Sequence, residues 1–314
     1  MKEVAVIIPA YKCHDTIQRT LHSISMQSLI EFNTYLIVDG EEKGSYDYLK
    51  DFFDIEIHYL DKNSGPAVAR QTGIDISQEP FISFIDADDT YLSSLALYYQ
   101  HKHFTDNIVL VSCDFLEEKK DHELHLRQND MVWMHGKMYR REFLDKYDIR
   151  FNDTRANEDV GFNTQCQCYA NKDEQVYLAQ DVTYMWQWRD NSTVRTDNAS
   201  YAYNQSIEGY VKNKVYAFNR VIERNGDNED IKFFIMSSMI YIFKKYLASL
   251  FKAPKQSKFV MKWAKTYYKA VYKQIDKAYI DKALQTVLAK EGLQKPEHLE
   301  EFNKWMAQIS GNKA

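Results

Sequence analysis

The chain has 314 residues, 45% of them hydrophobic and 14% aromatic, with a net charge of −5; this is ample material for a buried core and excludes an intrinsically disordered chain. Its four cysteines (Cys13, Cys113, Cys166, Cys168) form no C-x-x-C pair, which excludes a disulfide scaffold or a cysteine-rich metal site and points to reduced thiols in the cytoplasm. The charge is divided unevenly: residues 1–200 hold 20 Lys/Arg against 34 Asp/Glu, and residues 201–314 hold 20 against 11, so the last third is basic.

Met1 leads directly into the apolar stretch Val4–Ile8, without the pattern of a signal peptide. Short β-rich runs then alternate with helical patterns: Val4–Ile8, Tyr35–Val38, Ile55–Tyr59 and Phe81–Ile85 are each followed by a helix. That alternation predicts an α/β fold, a mostly parallel central sheet flanked by crossover helices. In the first helix Asp15 is placed to cap, Gln18 completes a capping box, and Ile17, Leu21 and Ile24 share the buried face. Another helix starts near Pro66, whose fixed φ suits a first helical position, after the turn Asn63-Ser64-Gly65. Beyond about residue 200 long helical patterns take over, punctuated at Asn225-Gly226-Asp227, Ala253-Pro254 and Gly292. The expected organisation is an α/β domain over 1–200 and a helical, basic C-terminal extension over 201–314. The longest apolar run, Phe233–Phe243, is shorter than the roughly 20 residues that span a bilayer, so no transmembrane helix is expected.

The most informative segment is Phe81-Ile82-Ser83-Phe84-Ile85-Asp86-Ala87-Asp88-Asp89, a buried-looking strand followed by three carboxylates. Open α/β sheets bind ligands at the carboxyl ends of their strands, and clustered acids there suit Mg2+ or Mn2+ holding a diphosphate. The same residues also read as a solvated acidic turn that caps the next helix.

The segments Val6-Ile7-Ile8-Pro9-Ala10-Tyr11, Ile37-Val38-Asp39, Asn63 to Ile74 and Asp86-Ala87-Asp88-Asp89 stand in an order and spacing that resemble the family 2 glycosyltransferases. His135 to Arg141 and Asn157-Glu158-Asp159 fit the same pattern, and the resemblance covers residues 3–195. It implies a GT-A fold and an inverting transfer from a nucleotide-sugar donor, with Mn2+ or Mg2+ as cofactor. On that resemblance Pro9, Tyr11 and Asp39 line the nucleoside pocket, Asn63, Gly65 and Arg70 belong to the donor site, and Asp86 faces the ribose. Asp88, with Asp86, holds the metal, and Asp159, beside Glu158, is the general base. Aspartate with its ordinary pKa near 4 is ionised at neutral pH without special tuning. The family's usual second acid after Asp39 is replaced by Gly40; Asp39 or Glu41 is then left to read the base, and UDP is the expected nucleotide. Tyr184 to Thr193 resembles the segment that closes over the diphosphate, with Arg189 and the hydroxyls of Ser192 and Thr193 on phosphate oxygens. His135 and Lys137 are expected at the acceptor or leaving group.

Between Lys244 and Lys277 there are ten lysines and one acid, Asp276. Lys258, Lys262, Lys265, Lys269, Lys273 and Lys277 step by three or four, as on one face of a single helix, with Phe259, Trp263, Tyr267, Val271 and Ile275 on the other. Unbalanced by acids, the lysines point to an anionic partner, with Lys262 and Lys269 as acceptor contacts. The partners that fit are an anionic surface glycan, an anionic membrane surface touched peripherally from the cytoplasmic side, or, as the alternative acceptor, DNA with hydroxymethylated bases. The aromatic face is also suited to a homo-oligomer contact.

Overall fold

The computed structural model describes residues 2–190, 200–226 and 228–311, and the chain divides into two compact units, Met1–Ser192 and Thr193–Ala314. The first unit runs β1 (Val4–Ala10), α1 (Ile17–Ser25), β2 (Phe32–Asp39), a 3₁₀ turn (Asp47–Asp51), β3 (Glu56–Leu60), α2 (Pro66–Ile76), β4 (Phe81–Phe84), β5 (Thr90–Tyr91) and α3 (Ala96–His101). It continues through β6 (Ile108–Glu118), β7 (Leu124–Arg127), β8 (Lys137–Arg140), α4 (Arg141–Lys146), α5 (Glu158–Tyr169) and β9 (Gln175–Trp186).

The nine strands form one sheet in the order β3-β2-β1-β4-β8-β6-β9-β5, with β7 paired to β6. β3, β2, β1 and β4 are mutually parallel, and β8 enters antiparallel between β4 and β6. The chain thus builds outward from β1 to β3 and then crosses back to place β4 on the other side of β1. That reversal makes a crevice at the carboxyl ends of β1 and β4, where open α/β sheets take their ligands. Val4, Val6, Ile8, Leu36 and Val38 fill the core on one face with Ile17, Leu21 and Ile24 of α1. On the opposite face α2 packs close to β1: a Cβ on Gly73 would lie 2.3 Å from Ile7 Cγ2.

Three local expectations are corrected. Asp15 does not cap the first helix; α1 begins at Ile17 after Thr16, without a side-chain cap bond. The Thr16 hydroxyl instead donates to the carbonyls of Cys13 and Ala87. The segment after β2 makes only the 3₁₀ turn, because Gly40 and Gly44 bend it at φ of 76° and 92° and the Tyr59 hydroxyl holds it by Tyr46 N and Asp47 Oδ1. After β4 the acidic turn and β5 come before α3, so the helix starts ten residues later than the alternation implies. All four cysteines are buried and free, and burial pushes the thiols of Cys13 and Cys113 up to about 11 and about 12.

The second unit holds α6 (Ser206–Asn225), α7 (Glu229–Lys252), α8 (Ser257–Ala270), α9 (Lys277–Lys290) and α10 (Pro296–Ser310). Val211 and Phe218 of α6, Met239 and Phe243 of α7, Tyr267 of α8, Leu288 of α9 and Trp305 of α10 are buried; the rings of Phe243 and Trp305 pack at a tilt, 5.1 Å between centroids. Among the described helices α7 alone has the length and composition of a membrane span, with mean hydropathy 1.2, and 44% of that window is buried. The single long basic helix expected over 258–277 is two helices. α8 stops at Ala270, and Asp276 accepts from Tyr279 N at 2.8 Å to start α9. Lys258, Lys262, Lys265 and Lys269 therefore share one exposed helix, while Lys273 and Lys277 belong to the next turn and helix.

Candidate active site

The acidic turn leaves the carboxyl end of β4 and is held by α1. Thr16, at the N-cap of α1, and Arg19 and Thr20 one turn on donate to three consecutive carbonyls: Thr16 Oγ1 to Ala87 O at 2.9 Å, Arg19 Nη2 to Asp88 O at 2.8 Å and Thr20 Oγ1 to Asp89 O at 2.8 Å. With its carbonyls tied to the helix, the turn projects its carboxylates away from it. Asp89 is directed inward, 1% exposed, and accepts from Tyr184 OH at 2.7 Å and Gln187 N at 2.9 Å. The Asp86 and Asp88 side chains are each 30% exposed, and Asp88 Oδ2 lies 3.3 Å from Arg189 Nη1.

Arg70 of α2 joins this turn to α5. Its guanidinium is buried and donates to Asp86 Oδ1 and Glu158 Oε1, both at 2.5 Å. Burial opposes the Asp86 charge, but Arg70 and His135 outweigh it and hold the carboxyl well below the usual carboxylate range. The family-matching pair Glu158-Asp159 forms the first turn of α5, after Asn157 in the left-handed region at φ 57°. Glu158 is engaged by Arg70, whereas Asp159 accepts from Val160 N at 2.8 Å. Burial, then the neighbouring Glu158 charge, push Asp159 up to about 8 against the pull of Arg70. This corrects the expectation of an untuned carboxylate at position 159: burial and the Glu158 charge both favour its protonated form.

The expected acceptor contacts His135 and Lys137 are also corrected, because both are enclosed. Lys137 is 0% exposed with Nζ 3.4 Å from Asp130 Oδ1, and burial lowers its pKa. The His135 ring is 5% exposed, stacks on Tyr184 at 4.7 Å and lies against Trp133, Trp186 and Phe115. Gly136 between them sits at φ 67°, where a Cβ would come 2.7 Å from Cys113 O. Their spacing after Trp133 fits a surface turn as well as a core turn, so the sequence pattern does not separate the two.

On the nucleoside side, Pro9 is half-buried and Tyr11 is 45% exposed. Asp39 is buried and accepts from Ser64 N at 2.6 Å and Gly65 N at 2.8 Å, fixing the turn that starts α2. Asn63 is held by Arg155, whose Nη1 and Nη2 donate to Asn63 Oδ1 at 2.6 Å and Asn63 O at 2.9 Å. Gly40 has a steric cause: at φ 76°, a Cβ would lie 2.0 Å from Asn63 N and 2.2 Å from Lys62 C. No acidic side chain fits this backbone at position 40. Glu41 is drawn aside, accepting from Lys12 N at 2.7 Å and Tyr46 OH at 2.9 Å.

The donor set suits a divalent cation and an anionic diphosphate. Burial and mutual repulsion raise Asp88 and Asp89 above ordinary carboxylates, a repulsion that a cation relieves. Asp86, Asp89 and His135 each offer an atom within 4.8 Å of the others, but Asp89 is closed off by Tyr184 and Gln187. Asp86 and Asp88, each 30% exposed, are thus the carboxylates of the turn open to a cation from solvent. The Nε atoms of Arg70 and Arg189 are buried without a protein acceptor, leaving two guanidinium donors beside the acids. Ser192 lies outside the described residues. Lys262 and Lys269 are exposed on α8 of the second unit. Thr16, Arg19, Thr20 and Arg155 carry no motif that marks them as site residues; for the first three the signal in the sequence is their step of three and four.

Residues 5–156 match the family described as Glycosyl transferase family 2. The chain is 22% identical over 259 residues to the uncharacterized glycosyltransferase EpsJ of Bacillus subtilis (strain 168), covering 74% of each protein. It is 36% identical over 92 residues to the putative teichuronic acid biosynthesis glycosyltransferase TuaG of the same organism, covering 28% of this chain and 36% of TuaG. Its fold is similar to that of S. aureus TarS residues 1–349 in complex with UDP-GlcNAc, with TM-score 0.68, 15% identity and coverage of 93% and 88%. It is also similar to the mannosyltransferase PcManGT from Pyrobaculum calidifontis in complex with GDP-Man and Mn2+, with TM-score 0.54, 15% identity and coverage of 99% and 85%. The parallel half-sheet, the acidic turn at its switch point and the match of residues 5–156 to glycosyl transferase family 2 thus fall in one unit, which has the GT-A fold.

Proposed function

We propose that this glycosyltransferase moves a sugar, with inversion, from a UDP-sugar to a hydroxyl of an anionic surface glycan. The observation that carries the reading is Arg70, whose guanidinium ties Asp86 of the donor side to Glu158 beside Asp159. In this reading Pro9, Tyr11, Asp39, Asn63 and Gly65 bound the nucleoside side, and Asp86 faces the ribose. Asp88, with Asp86, would hold Mn2+ or Mg2+, which supplies charge neutralisation to the departing diphosphate. Arg189 offers guanidinium N–H donors to phosphate oxygens, a role proposed also for Ser192. Asp159 removes the proton of the acceptor hydroxyl as its oxygen attacks C1 of the sugar and the bond from C1 to the diphosphate breaks. Glu158, bonded to Arg70, fixes the turn that carries Asp159. A single in-line displacement of this kind inverts the anomeric centre.

The UDP preference is supported by the likeness to TarS with UDP-GlcNAc, and the metal by the likeness to PcManGT with Mn2+. The acceptor class is supported by the likeness to TuaG; none of these relatives supports the alternative DNA acceptor. The test is incubation with Mn2+ and labelled UDP- and GDP-sugars, following free sugar released from each donor and its initial anomer by NMR. Release from a UDP-sugar with the opposite anomeric configuration supports the reading; retention of configuration overturns the mechanism, and release from GDP-sugars alone overturns the donor.

A further inference from the structure

Five lysines elsewhere in the second unit have carboxylate partners: Lys212 with Glu208, Lys232 with Asp276, Lys244 with Glu291, Lys282 with Glu229 and Lys295 with Glu297. The lysines of α8 differ from these five. Lys258, Lys262, Lys265 and Lys269 are all exposed, and among the described residues none has a carboxylate within ion-pair distance. The sequence of α8, Ser257–Ala270, contains no acid at all. The four lysines, with Met261 and Thr266, line one open groove of about 440 Å³, while Val260, Trp263, Ala264 and Tyr267 are buried on the other side of the helix. Four like charges along one face repel each other unless an anionic surface lies against them.

A second feature adjoins the first residues of this helix. The last turn of α7 carries Leu250, 40% exposed, and Phe251, 86% exposed, the latter the most exposed large apolar side chain among the described residues. They are followed by Lys252, Lys255 and Lys258, all exposed. A soluble polyanion explains the lysines and leaves an exposed phenylalanine without a role. An anionic bilayer takes both, because its charged headgroups attract lysines while its acyl boundary takes up an apolar ring.

We infer that α8 and the Leu250–Phe251 turn form a docking surface for an anionic lipid bilayer, with the four lysines on the headgroups and Phe251 inserted at the acyl boundary. The surface stands independently of the transferase reading, since it invokes neither donor nor acceptor. It would bring the protein to membranes that carry lipid-linked substrates.

The full chain is mixed with phosphatidylcholine vesicles, with vesicles containing 30 mol% phosphatidylglycerol, or with soluble polyphosphate at equal phosphate concentration, and binding is read by co-sedimentation and fluorescence anisotropy. Binding to the anionic vesicles and not to phosphatidylcholine is expected, falling as salt is raised. A Lys258→Gln/Lys262→Gln/Lys265→Gln/Lys269→Gln variant is expected to bind on the order of 1,000-fold more weakly, and Phe251→Ser roughly tenfold more weakly. All five positions are exposed, and an unchanged circular dichroism spectrum confirms that each variant folds. Binding to polyphosphate without binding to anionic vesicles overturns the proposal in favour of a soluble polymer. Vesicle binding that survives both variants also overturns it.

Discussion

At the level of single residues the site is controlled by how few cations are set among many buried acids. Arg70 is the only cation that touches both Asp86 and Glu158 among the described residues. Arg70→Ala leaves two carboxylates without their partner, and removing one side of a buried ion pair costs about 3–5 kcal/mol; a urea titration is expected to show that loss with an unchanged m-value. Arg70→Lys keeps the charge but cannot make two directed bonds at once, so it is expected to recover part of the stability and little of the turnover. Asp159→Asn is expected to lower turnover by about 10²–10⁴-fold with little change in donor KM, read by initial rates. The pH profile follows from the raised pKa of Asp159. A base must be deprotonated, burial favours its protonated form, and so kcat/KM is expected to rise with pH through about 8 and level off above it. An ordinary aspartate would give a profile already flat from about pH 5, and such a flat profile would remove burial as the controlling effect.

At the level of elements, the acidic turn is positioned by a helix that contributes no catalytic group of its own. Thr16, Arg19 and Thr20 of α1 bind the carbonyls of residues 87, 88 and 89, so the orientation of the carboxylates is inherited from the packing of α1 on the sheet. Gly40 does comparable work at the end of β2, where the Asn63–Gly65 turn crosses it without room for a Cβ. Gly40→Asp, which restores the acid pair usual in the family, is expected to destabilise the protein by about 3 kcal/mol or more, from a left-handed φ together with a backbone clash. Thermal unfolding checks this: an unchanged Tm would mean that the Asn63 turn moves freely away from Gly40. Glu41 does not act in place of the missing acid, since its carboxylate already ties Lys12 N to Tyr46 OH.

At the level of the whole molecule, two units each enclose their own core, one built on a sheet and one on helices. All of the acids and guanidinium groups of the candidate active site belong to the first. A fragment ending at Ser192 is therefore expected to unfold in one cooperative transition and to be stabilised by UDP with Mn2+, but not by UDP with a chelator present. Circular dichroism melts with and without ligand decide it; equal stabilisation in chelator would remove the metal from the donor site.

Sequence alone determined the strands of the parallel half-sheet, the Pro66 start of α2, the helical end of the chain and the place of the acidic turn, because each depends on residues near one another in the chain. Hydrophobic alternation marks a buried strand whatever it pairs with, and a proline fixes its own φ. The tertiary structure alone decided what those local patterns leave open. His135 and Lys137 read as surface residues from their polarity, yet aromatic rings and Asp130 enclose them. Asp159 has an ordinary pKa until α5 is packed and Glu158 and Arg70 are fixed around it. Polarity and intrinsic pKa belong to the isolated residue; burial and the distance to other charges come from contacts such as that of Arg70 with Glu158, 88 positions apart, and folding alone sets them.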